Sequence, residues 1–314
     1  MMWVSALLLV YAFVVGTFGA LVLRRAAWAT RAPRLAVTAW QILCWSVLLA
    51  VGLTGLLMFK PGPHTGTGGL AASFHMLVTG DLAHLELARW CTFFVLLSVV
   101  VLGRTSLSVT RSVLRSRRER TEHLRQLSFL ASHDATRDAL LLENPTAIAY
   151  CLPGPRPAVV LTTGALAALD GDELKVVLEH ERAHLRERHD LILATSRGLE
   201  RAWRRVPLFR WAYEEQKRLL ELAADDAAAR HGARRTVASA MVRMAESPIP
   251  LPALGAGGAD VVARVDRMLA PHRPMGLPAM TAVVATLVLV AALPLLAAAV
   301  PLATTAGLQA CGLT

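Results

Sequence analysis

No Cys-x-x-Cys pair occurs in this sequence. Its four cysteines, Cys44, Cys91, Cys151 and Cys311, are scattered, the first two inside apolar runs. Neither a cysteine zinc site nor a disulfide framework is indicated, and the cysteines read as buried small residues. Aromatics are scarce, at 6%, and charged residues reach only 18%. With 54% hydrophobic residues and a mean hydropathy of +0.46, the chain is too apolar for an ordinary soluble domain. It is also too charged for a bare bundle of membrane spans, so a mixed protein is expected, with several spans and one soluble domain. No basic residue precedes the first apolar run, which excludes a good signal peptide. The net charge of +10 does not call for nucleic acid, because excess arginine in a membrane protein reflects orientation in the bilayer.

Four apolar runs are present, at about residues 2–23, 35–59, 88–109 and 276–302. Each is close to the roughly 20 residues that cross a bilayer as a helix. Loop charges set the expected topology. Arg24, Arg25, Arg31 and Arg34 follow the first run, and Arg104, Arg111, Arg115, Arg117, Arg118 and Arg120 follow the third. Between the second and third runs, positive charge sits only at the edges, at Lys60 and Arg89. The positive-inside rule then puts both termini outside a bacterial-type cell membrane and residues from about 104 to 275 in the cytoplasm. The expected organisation is mainly α: a three-span region over 1–110, a cytoplasmic α+β domain over 111–275, and a fourth span with a short external tail over 276–314. The middle segment is long enough to bury a core of its own. It opens as a basic helix continuing the third span, a solvated face near anionic headgroups. Residues 147–163 read as a hairpin around "LPGPRP". Asp170 and Glu173 form a capping box before an apolar stripe at Leu174, Val177 and Leu178. A second helix covers about 208–230, and "SPIPLPALGAGGA" reads as a loop before the last span.

Within "LEHERAHLRERHDL" lies His-Glu-x-x-His, at His180, Glu181 and His184. Positions i and i+4 share a helix face, so two neutral imidazoles can reach one zinc ion. Glu181 projects to one side of that face, where it suits a general base acting on water. A charged amphipathic helix could also carry two histidines on its wet face, so the motif needs support from further along the chain. A catalytic zinc needs a third protein ligand. His189 falls about 180° from His180 on an unbroken helix. Asp190 falls where a longer zincin pattern puts its third ligand, but that pattern needs glycine where Glu187 stands. Glu221, in "ELAADDAA", can approach from a second helix, with Asp225 one turn on to hold a ligating histidine by its other nitrogen. Glu221 is favoured as ligand and Asp225 as its support; Asp226 lies about 100° off that face. Glu179 and Glu187 are expected to be solvated.

"HERAHLRERHD" followed by "ELAAD" resembles the BlaR/MecR-type membrane metallopeptidases, zincins of the gluzincin kind. The likeness extends to "PRPAVVLTTGALAAL", "DELKVVLEHE" and "VPLFRWAY", and to the order of three spans, peptidase domain and fourth span. It implies Zn²⁺ on His180, His184 and Glu221, Glu181 as base, and regulated cleavage of a protein substrate such as a BlaI/MecI-like winged-helix repressor. Members that sense β-lactams carry a penicillin-binding domain after the fourth span, and this chain has about a dozen residues there. Direct antibiotic sensing is therefore not implied. A quality-control protease of the HtpX type also pairs His-Glu-x-x-His with a later Glu and membrane helices. A signalling protein with only a structural zinc site is the reading from another class. Zincins commonly lay substrate along an edge strand, and residues 158–163 are the candidate strand here. His64, His75, His84 and His133 read as surface or turn residues. His231 could reach the carbonyl oxyanion, and Trp203, Trp211 and Tyr213 read as packing or interfacial residues.

Overall fold

The computed structural model describes residues 2–58, 82–246, 258–271 and 273–310. His64, His75 and Cys311, and most of the expected loop before the last span, lie outside the described residues. Among the described residues, four helices are long and apolar enough to cross a membrane: α1 (Met2–Arg24), α2 (Pro33–Met58), α3 (Leu82–Leu130) and α10 (Leu277–Ala310). Their outer faces carry large apolar side chains open to the surroundings, among them Trp3, Phe13, Val22, Leu56 and Val99. Such a surface suits lipid rather than water. Helix α1 contains a π-helical segment, Val15–Gly19. Helix α3 has 49 residues and therefore spans about 74 Å, well over twice the hydrocarbon thickness. It runs unbroken across the expected boundary at residue 110.

Between α3 and α10 come four strands and six helices: β1 (Ala131–Asp134), β2 (Ala139–Leu142), β3 (Ala149–Leu152), β4 (Ala158–Thr162), α4 (Thr163–Ala168), α5 (Gly171–Arg186), α6 (His189–Ala202), α7 (Pro207–Ala228), α8 (Arg234–Glu246) and α9 (Gly258–Leu269). β3 and β4 form the antiparallel hairpin expected around "LPGPRP". β2 runs parallel to β4, and the strand order is β1-β2-β4-β3. This corrects the expectation for residues 158–163: β4 is paired on both sides and has no free edge. The free edges belong to β1 and β3.

Two cores share the middle segment. One is its own: Val159 and Leu161 of β4, Leu174, Val176 and Leu178 of α5, Val237 of α8 and Met268 of α9. The other is shared with the spans. Leu199 of α6 and Leu208, Phe209, Ala212, Leu219 and Leu220 of α7 pack with Trp40, Leu43 and Val47 of α2. A buried polar node sits within this contact, where Gln41 Nε2 donates to Gln216 Oε1 at 2.6 Å. Trp203 ties the end of α6 to α3 by donating to Thr105 Oγ1 at 2.9 Å, and Arg24 sits over the Trp211 ring at 5.1 Å. Both tryptophans therefore serve packing, as expected.

Helix α6 lies so close to α3 that a Cβ on Gly198 would stand 2.6 Å from Val109 Cα, and Ser108 Oγ donates to Gly198 O at 2.8 Å. Contact with backbone cannot be relieved by a rotamer change. Gly198→Ala is expected to cost about 1–3 kcal/mol by overpacking, read as a drop of several degrees in the thermal midpoint of the detergent-solubilised chain. An unchanged midpoint would show that the two helices are not in register at this point.

Candidate metal centre

The capping box is formed as expected: Asp170 accepts from the Asp172 and Glu173 backbone N–H groups, and Glu173 returns the bond to the Asp170 N–H. This sets the start of α5, and so the phase with which His180 and His184 emerge, about two and a half and three and a half turns later. Both rings face α7. The crossing is lined by Ala183, Ala224 and Ala227, all buried to within 1%. Short side chains let the helix axes approach closely, and the carboxylate of Glu221 comes within reach of both rings.

His180 Nε2 lies 3.2 Å from His184 Nε2, 3.7 Å from Glu221 Oε2, and Glu221 Oε1 lies 3.6 Å from His184 Nε2. All three ligand atoms fall within 4.8 Å of one another. Tetrahedral zinc with bonds near 2.0–2.1 Å needs donor separations of about 3.4 Å. The set fits zinc in donor type and spacing.

Beyond the cluster, Asp225 is fully buried and its Oδ1 lies 3.1 Å from His180 Nδ1. Arg264 of α9 grips the same carboxylate with two bonds of 2.8 and 2.6 Å, and its Nη1 is 3.1 Å from Glu221 Oε2. Arg264 was not singled out from sequence. Its partners are near forty residues away in the chain, and nothing in "VVARVDRML" says which carboxylate it meets. Asp226 lies off this face and pairs with Arg267 instead.

The electrostatics of the two histidines differ. Burial disfavours a charged His180, yet Asp225 and Glu221 outweigh it and raise its pKa to about 10. His184 is pushed down to about 4, chiefly by burial, since its second nitrogen meets no carboxylate. Glu221 is held down at about 2: burial opposes its ionised form, but His180 and Arg264 prevail. Glu181 is raised to about 7, chiefly by burial, with Glu221 adding to it while His180 and contacts with Cys151 of β3 oppose it. The cluster is thus a spot with strong affinity for positive charge beside a carboxyl poised near neutrality.

His180, Glu181 and Glu221 open onto a cavity of about 600 Å³, walled by apolar residues of β3, α5, α8 and α9, including Ala149, Val177, Met241 and Met244. His133 and His231 are not among its lining residues. His133 faces Asp138 at 3.7 Å, and His231 faces Glu179 at 3.7 Å. Three expectations need correction. The helix does break after Arg186: Arg188 adopts φ 52°, and α6 starts at His189, which turns back to lie 2.8 Å from His184 Nδ1. His189 does not face away. Glu187 is not simply solvated, since it accepts two bonds from Arg34. Glu179 bridges Arg182 and Arg186, with its side chain 13% exposed. Asp190 pairs with Arg120 of α3 at 2.6 Å, away from the cluster.

A model of peptidase family M48 matches residues 115–209, from the far part of α3 through the start of α7. That stretch holds the His-Glu-x-x-His helix and stops short of Glu221, Asp225 and Arg264. No curated protein and no solved structure matches the chain. The family similarity and the His–His–Glu cluster together support a metalloprotease.

Asp225 and Arg264 form a buried pair, 0% and 14% exposed at the side chain. Removing the cation leaves Asp225 with His180 as its remaining partner, so Arg264→Met is expected to destabilise the chain by less than the roughly 3–5 kcal/mol of a buried charge left wholly unpaired, as read from denaturant midpoints. Although burial opposes ionised Asp225, Arg264 and His180 hold its pKa below the ordinary value. Its contribution is therefore present above about pH 4 and lost as pH falls through the lower folded value. In Arg264→Met that loss should begin at higher pH.

Proposed function

We propose that this chain is a membrane-bound zinc endopeptidase in which His180, His184 and Glu221 hold the metal, Glu181 is the general base, and Asp225 orients His180. The observation that carries the reading is convergence. Three donors from two helices meet at zinc spacing, with a half-buried glutamate beside them at an open cavity. A purely structural zinc site would have no need of that cavity or of a base beside it. Bound zinc would supply Lewis acidity toward a peptide carbonyl and toward water. Glu181 would take a proton from the attacking water and pass it to the leaving amine, a task its place beside the donor set and at the cavity suits. Asp225 accepts the Nδ1 proton of His180 and so keeps Nε2 free to ligate. The substrate chain would lie along β3, the free edge beside α5, and send a side chain into the apolar cavity.

The arginine asymmetry favours a cytoplasmic position for the peptidase helices. Together with the BlaR/MecR resemblance, this favours a cytoplasmic regulatory protein as substrate, such as a winged-helix repressor. A quality-control role of the HtpX type would use the same site, and the family match accommodates it equally.

Glu181→Gln is expected to lower cleavage of an unstructured protein substrate by about 10²–10⁴-fold while zinc content, read by metal analysis, stays at the native level. Persistent cleavage by the metal-loaded variant would remove the base assignment. The same variant, used as a trap in cells, separates the two roles: it should retain one defined regulatory protein, whereas a broad set of misfolded membrane proteins would favour quality control.

A further inference from the structure

The two ligating histidines are backed differently. Each points Nε2 toward the cluster, so each must satisfy Nδ1 elsewhere. His180 has the Asp225 carboxylate, clamped by Arg264. His184 has no carboxylate. Its Nδ1 lies 2.8 Å from Nδ1 of His189, whose side chain is 3% exposed. His189 Nε2 in turn stands 3.4 Å from Glu187 Oε2. Glu187 accepts two bonds from the Arg34 guanidinium, one of them from Nε at 2.8 Å. Arg34 is the second residue of α2.

The chemistry of the rings gives this chain of contacts one direction. A neutral histidine that offers Nε2 to a cation keeps its proton on Nδ1 and must donate from there. His184 therefore donates to His189 Nδ1. His189 then carries its proton on Nε2, facing the Glu187 carboxylate. Arg34 donates to both oxygens of that carboxylate, its Nε to the same Oε2 that faces His189, and fixes its position. The left-handed backbone at Arg188 makes the arrangement possible, because it folds His189 back beside His184.

We propose that Arg34, Glu187 and His189 are positioning residues for the His184 ring, so that zinc affinity depends on where the second apolar helix sits against the peptidase helices. The inference rests on the zinc reading above and adds a control point to it. With Arg264 on α9, the residues backing the centre then end in two arginines on opposite sides, one of them at the mouth of a candidate membrane span. A shift of α2 would be felt at the metal without any contact between α2 and the ligands.

The test is zinc affinity of the full chain in detergent, by competition with a chelating indicator, with thermal midpoints measured in parallel. His189→Ala should weaken zinc binding by about 10–100-fold, and Arg34→Ala by an amount near the lower end of that range. Arg34→Lys should restore only part, since an ammonium lacks the two-pronged grip. Arg31→Ala removes the same charge from the same connection and should leave affinity unchanged. Because Arg34 acts through Glu187, Arg34→Ala/Glu187→Gln should match Glu187→Gln alone to within about twofold. Native affinity in Arg34→Ala, even with a lowered midpoint, would reduce the pair to a helix clamp and overturn the proposal. Arg34 is partly exposed, so this variant decides the matter even if His189→Ala does not fold. If the native chain binds no zinc, the zinc reading falls and this inference falls with it; if it binds and Arg34→Ala binds as well, only the inference fails.

Discussion

Helix α7 has to satisfy two unlike surfaces at once. Leu208, Leu219 and Leu220 pack into the core shared with α2, while Ala224 and Ala227 meet α5. Large side chains in its earlier turns fill the space beside a candidate membrane span, and small ones in its last turns admit a neighbouring helix at close range. Glu221 and Asp225 ride on the same helix, on the side that meets His180. Their distance from His180 and His184 is therefore set by packing on both sides. A bulky residue at Ala224 or Ala227 would push α7 from α5 and open the donor set, whatever the ligands themselves did.

The second feature is the concentration of charge in a buried place. Glu221, Asp225, Arg264 and His180 lie within contact of one another, and Asp225 is wholly enclosed. Buried ion pairs are poor sources of stability, because desolvation offsets much of their attraction. Apolar residues of similar size would serve the core as well or better. The arrangement makes sense as electrostatic preparation for a cation, with an excess of carboxylate facing two imidazoles and Arg264 balancing what remains. The same layout explains why two histidines four residues apart behave so differently: one is backed by an anion, the other by a neutral ring.

Much of the fold was legible in order along the chain. Runs of apolar residues, the Pro/Gly turn between β3 and β4, and the Asp170/Glu173 box are local signals, and local chemistry is enough to produce the corresponding elements. The errors came where a local rule met a tertiary contact. An unbroken helix through Glu187 and Arg188 was the sound reading without a glycine. The chain instead accepts a left-handed residue at Arg188, where Glu187 is held by Arg34 and His189 by His184. Strand β4 had the composition of any half-buried strand, and only pairing with β2 shows that its edge is taken.

The sequence by itself determined which residues can carry this chemistry. His180 and His184 share a helix face by periodicity, Glu181 must stand beside that face, and the apolar runs require a nonpolar environment. Tertiary structure decided which distant groups complete the cluster. Glu221 was chosen from sequence among open alternatives, His189 was set on the wrong side of the helix, and Arg264 and the contact of Arg34 could not be assigned at all. The reason is physical: a helix repeat of 3.6 residues fixes neighbours within one or two turns, while contacts between helices depend on side-chain volume at their crossings. Here alanines at one crossing and leucines at another decide that a carboxylate forty residues away, and an arginine at the start of an apolar helix, both answer to the same pair of imidazoles.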